Sequence, residues 1–184
     1  MATPHMQATD TPVSSAIDRL SVVTGAAASW LTLLMVLITF VIVVLRYAFD
    51  VGFIWLQEAL TWMHAAVFMV GAAYTLQQDE HVRVDIFYRE MSATHRAWVN
   101  LIGVLIFIFP LGGFLFVESL QYVTSAWNIR EVSRDSGGLP YPAIPLLKSM
   151  LLLMPLLISL QGLSLLLRSV VTIRAKGDHQ GAQG

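Results

Sequence analysis

Apolar and polar positions along this chain fall into long blocks rather than short alternations. From residue 20 to residue 45 no charged side chain occurs in 26 positions. At about 1.5 Å rise per residue such a run more than covers a hydrocarbon core of roughly 30 Å, so it predicts a membrane-spanning helix that ends near Arg46. Three further charge-free intervals, 59–78, 97–117 and 149–167, hold 20, 21 and 19 residues. Each matches the ~20 apolar residues a spanning helix needs, because lipid offers no partner to an open backbone group. The pattern predicts an all-α membrane protein with four transmembrane helices, at about 20–45, 57–78, 97–120 and 146–168, and interfacial amphipathic helices beside them.

Local signals set the expected boundaries. Ser15 and Asp18 have the spacing of a capping box, which places the first helix start there and leaves the polar, Pro- and Thr-rich residues 1–14 as a disordered lead. The tail, residues 175–184, is expected to be disordered too, so a single four-helix domain covers residues 15–174. Pro110 and Pro155 should bend their helices, since each removes a backbone donor and crowds the previous turn. Residues 46–58 are too few and too apolar for a soluble loop and suit a segment lying in the interface. The other connection on that side, WNIREVSRDSGGLPYPAIP, joins a Gly-Gly and Pro-rich turn to a helical extension of span three. On that extension Glu118, Gln121, Tyr122 and Ser125 share one face.

Composition agrees with the block pattern. Of 184 residues 56% are hydrophobic and 12% charged, with a mean hydropathy of +0.67, which is outside the soluble range. A net charge of −1 leaves no electrostatic footprint for nucleic acid. The chain has no cysteine, which excludes disulfides and thiolate metal sites. Its start lacks a basic region followed by an apolar core, so the first membrane helix is expected to do the targeting. With four spans, one side carries Arg19, Arg83, Arg89, Arg96, Arg168, Arg174 and Lys176, and the other Arg46, Arg130, Arg134 and Lys148. Seven basic residues against four place both termini in the cytoplasm.

Candidate chemistry is sparse. Trp55, Glu58 and Trp62 form one stripe at the start of span two. Glu58 reads either as an ion-binding or proton-relay carboxylate, or as a headgroup-zone residue within an interfacial tryptophan belt, paired with Arg46 or with a partner's base. Ala65, Ala66, Gly71, Ala72 and Ala73 follow on the same span and would let another helix approach closely, from inside the bundle or from another chain. His64 lies inside a span, but a haem-carrying bundle would need a second axial ligand, which the other histidines do not supply. Glu58 and Glu118 could in principle flank a cation, with no third ligand evident. In HVRVDIFYREM, Asp85 is placed to cap a short interfacial helix. No phosphate-binding loop, nucleophile elbow, HExxH or paired-carboxylate pattern occurs, so the sequence describes no enzyme and calls for no cofactor.

The order RYAF (46–49), WLQEAL (55–60), GAAY (71–74) and HVRVD (81–85), with the DSGGLPYPAIPLLK stretch before the last span, resembles the DctQ-like small membrane subunit of tripartite ATP-independent periplasmic (TRAP) transporters. The likeness runs over roughly residues 17–174. It implies a bacterial inner-membrane protein serving sodium-driven uptake of an organic acid, with a large multi-span membrane subunit and a periplasmic substrate-binding protein as partners. In such systems the large subunit holds the substrate and sodium sites, and the small one resembles a brace. The family's motif positions fall on Arg46, Trp55, Glu58, His81, Arg83 and Asp85, for which the resemblance implies structural and subunit-contact roles. Trp62 and Gly71 join them as expected contact residues on span two. The alternative is a stand-alone four-helix channel or exporter using the membrane-edge carboxylates.

Overall fold

The computed structural model describes residues 11–78 and 91–181. Within them the chain is all-helical: α1 is Pro12–Phe49, α2 Ile54–Gln77, α3 Ala93–Gly103, α4 Phe109–Asn128 and α5 Ala143–Gly181. A π-helical turn, Val104–Ile108, joins α3 to α4, so that the two form one rod. Four rods are therefore long and apolar enough to cross a membrane.

Helix α1 starts earlier than expected. Thr11 and Ser14, not Ser15 and Asp18, make the reciprocal cap: the Ser14 N–H donates to Thr11 Oγ1 (3.2 Å) and the Thr11 N–H to Ser14 Oγ (3.0 Å). Pro12 opens the helix because its fixed φ suits the first turn, where its missing donor would be unpaired anyway. Asp18 is unavailable for capping because α5 engages its carboxylate. At its other end α1 runs past Arg46 to Phe49 and stops where Asp50 turns left-handed (φ 54°) and Val51 N–H returns to the Leu45 carbonyl (3.0 Å). Only residues 50–53 of the expected interfacial connector are non-helical, a corner between two helix ends. The C-terminal region also differs from expectation, since α5 continues to Gly181.

Helix α5 is the hub. It packs on α1, α2, α3 and α4, whereas the α1–α2 and α3–α4 pairs meet each other mainly through it. Close approach depends on glycines, as is usual where helices pack in lipid. A Cβ on Gly25 of α1 would sit 2.5 Å from the Tyr74 ring of α2, and one on Gly112 of α4 2.5 Å from Ser159 Oγ of α5. On Gly162 of α5 it would lie 2.8 Å from Ile108 Cγ2 and 3.5 Å from Val104 Cγ1.

That last contact explains the π turn. Pro110 has no N–H and its ring crowds the preceding turn. Widening the helix just before it, with Phe109 N–H bonded to Val104 O, makes room and sets Val104 and Ile108 over Gly162. Val104 is 1% exposed as a result.

Candidate functional site

Two polar constellations hold opposite ends of the bundle. At the corner between α1 and α2, Glu58 reaches across to the 129–142 connection. Its Oε1 accepts a hydrogen bond from the Ser133 hydroxyl and its Oε2 accepts from the Leu139 N–H (2.6 Å). One turn earlier the Trp55 N–H, which has no partner within its own helix, donates to Gly137 O (3.1 Å). The loop folds tightly enough to be held this way because Gly137 takes φ +81° and Gly138 leaves no space for a Cβ, which would fall 2.7 Å from Glu58 Oε2. Ser133 Oγ in turn accepts from Asp135 N–H (3.1 Å). Glu58 is thus satisfied within the chain by a loop, and not by Arg46, which lies exposed beside Val51, Phe53 and Gln57 at the corner.

The same connection is anchored to both of its helices. Lys148 of α5 pairs with Glu131 (2.6 Å) and lies 3.9 Å over the Tyr122 ring of α4. Trp127 Nε1 donates to Ser149 Oγ (3.0 Å) and packs edge-on against Tyr141. As expected, α4 continues to Asn128 with Glu118, Gln121, Tyr122 and Ser125 on its exposed side.

At the far end, α1 and α5 share a buried polar cluster. Gln161 Nε2 (2.9 Å) and Ser164 Oγ (2.8 Å) donate to Asp18 Oδ1, and Arg168 donates to Asp18 Oδ2. Ser21 Oγ donates to Gln161 Oε1 (2.7 Å). Asp18 is 5% exposed, so this carboxylate depends on its partners. Removing one member of a well-buried pair costs roughly 3–5 kcal/mol, and the exposure of Arg168 puts this pair at the low end.

Of the residues singled out from the sequence, the structure brings Trp55 and Glu58 to one loop. Trp62 lies further along α2 with Nε1 enclosed. Gly71 meets nothing within 4 Å, while Ala73 two positions on is fully buried. His64 faces outward. His81, Arg83 and Asp85, with the cap and short helix expected there, lie outside the described residues. Among the described residues no three His, Asp or Glu side chains converge as a metal site.

The Asp18 cluster and the loop clasp were not anticipated. The first had a signal: Ser14, Asp18, Ser21, Gly25 and Ala28 repeat at spacings of four and three, and Gln161, Ser164 and Arg168 fall at i, i+3 and i+7 in an apolar helix.

Comparison with known proteins agrees with this architecture. Residues 35–172 match the family described as tripartite ATP-independent periplasmic transporters, DctQ component. A stretch of 70 residues, 38% of this chain, is 31% identical to the C4-dicarboxylate TRAP transporter small permease protein DctQ of Vibrio cholerae serotype O1. That stretch spans 30% of the relative's length. No solved structure matches the chain. The family match takes in α2, α3, α4, the C-terminal part of α1 and most of α5, including both ends of the Glu58 clasp, and the chain belongs to the DctQ family, the small-permease components of TRAP transporters, which are not enzymes.

Proposed function

We propose that this chain is the non-catalytic small membrane subunit of a sodium-driven, binding-protein-dependent importer of C4-dicarboxylates or related organic acids. The family match through residues 35–172 carries the reading, and the substrate class rests on the name of the Vibrio relative. A large multi-span permease subunit and a periplasmic binding protein are the partners of such a component. The polar contacts described above support a bracing role, since Glu58 ties α2 to a loop and Asp18 ties α1 to α5.

Both termini lie in the cytoplasm of a bacterial inner membrane on this reading, with the Asp18 cluster on the cytoplasmic side and the Glu58 clasp on the periplasmic side. The lysine and arginine asymmetry supports that orientation. Arg46, Trp55, Glu58, Trp62 and Gly71 then serve shape and subunit contact, as do His81, Arg83 and Asp85.

Proteoliposomes test the proposal. With the large subunit, the binding protein and an inward sodium gradient, labelled succinate should enter only when this chain is present. Equal uptake without the chain would refute the proposal, as would solute flux through the chain reconstituted by itself.

A further inference from the structure

Helix α2 turns an incongruous face away from its own bundle. Gln57, Thr61, His64, Phe68, Gly71 and Thr75 recur at spacings of four and three, which places them on one stripe. Gln57, Thr61, His64 and Phe68 are exposed, Phe68 at 70%, and Gly71 has open space where a Cβ would point. The two threonine hydroxyls are satisfied by carbonyls one turn back. The Gln57 carboxamide and the His64 imidazole have no such partner among the described residues.

Depth makes this unfavourable in lipid. His64 is six residues past Glu58 on the same helix, about 9 Å further along it and inside the charge-free run 59–78. Side chains of this kind inside a membrane face a protein interior or a polar partner, not acyl chains. The outward stripes of the neighbouring rods differ. Val36, Leu37 and Phe40 on α1, and Phe114 and Val117 on α4, are apolar and exposed as lipid requires. Helix α2 is also the least hydrophobic of the four spans, and its exposed positions past Trp55 are Gln57, Thr61, His64 and Phe68.

We infer that this α2 stripe is the docking surface for a transmembrane helix of the large permease subunit. The inference rests on the reading above that such a subunit is the partner, and adds which face it meets. Hydrogen-bonding complementarity defines the occupant's chemistry. A small residue faces Gly71 to allow close approach, and a hydroxyl, carboxamide or carbonyl at the depth of His64 meets its imidazole. Lipid cannot provide the second feature.

The absence of native cysteine makes the test direct. The full complex, with tagged large subunit, is co-expressed with single-cysteine variants and treated in membranes with a short thiol-to-amine or photoactivated cross-linker. Thr61→Cys and Phe68→Cys should give adducts of this chain with the large subunit several-fold above those from Val36→Cys on α1 and Val117→Cys on α4. In parallel, Gly71→Trp should lower co-purification roughly tenfold without changing the melting temperature of the isolated chain, since its Cβ meets nothing inside the fold. Stronger adducts from α1 or α4 than from α2 would overturn the assignment while leaving the family role intact. Adducts at twice the chain's mass would assign the face to a second copy and overturn it likewise. If the unmodified chain does not co-purify with the large subunit, the role proposed above fails first and this inference with it.

Discussion

Both oxygens of Glu58 act as acceptors, one for a hydroxyl and one for a backbone N–H. A carboxamide could keep both contacts, accepting from Leu139 N–H and donating to Ser133 Oγ, whereas an apolar side chain of similar size supplies neither. Glu58→Leu should therefore release the 133–139 loop, seen as faster hydrogen exchange at Leu139 and Gly138 and easier proteolysis there. Unchanged exchange at Leu139 would show that the glycine turn holds without the carboxylate. The sequence drew attention to Glu58 as a costly charge at the membrane edge, but its partners lie 75 and 81 residues further on, out of reach of any local pattern. Asp18 shows the opposite error. Its spacing from Ser15 fits a cap, and a local reading assigns it that role. The groups that actually engage it, Gln161, Ser164 and Arg168, come from another helix.

Within single elements the neighbouring glycines of α4 separate packing from mere propensity. Gly112 is buried against Ser159 and the Pro155 carbonyl, whereas Gly113 faces open space. Gly112→Leu should destabilise the chain by about 1–3 kcal/mol through overpacking, and Gly113→Leu should stay within about 0.5 kcal/mol of the parent. Thermal unfolding in detergent measures both, and equal losses would contradict the described α4–α5 seam. The sequence placed a perturbation at Pro110, and the structure realises it as a π turn matched to Gly162. The form it took depends on what α5 presents opposite, which proline chemistry alone does not specify.

Across the whole molecule the number of spans was legible because lipid imposes a minimum apolar length on every helix. Helix ends were less so. Charges stop a helix from lying in hydrocarbon but not from continuing beyond it, so α1 reaches Pro12 and Phe49 and the third rod begins at Ala93. Packing order was not legible, since hydropathy does not single out the central helix, α5 having nearly the value of the third rod, and only scattered polar and small residues mark it. Orientation is open to direct measurement. An impermeant maleimide applied to spheroplasts should label Ser136→Cys at once and Val13→Cys only after permeabilisation. The reverse pattern would invert the topology proposed above.

The position of the hub in the chain has a consequence for biogenesis. Helix α5 is C-terminal to every helix it joins, so the ribosome delivers the two outer pairs into the membrane before the element that unites them exists. Until then Asp18 lacks the three side chains that neutralise and bind it, and stands as a solitary acid at the bilayer boundary. A chain interrupted before residue 143 would leave Asp18 without these partners, which distinguishes an unfinished subunit from a finished one.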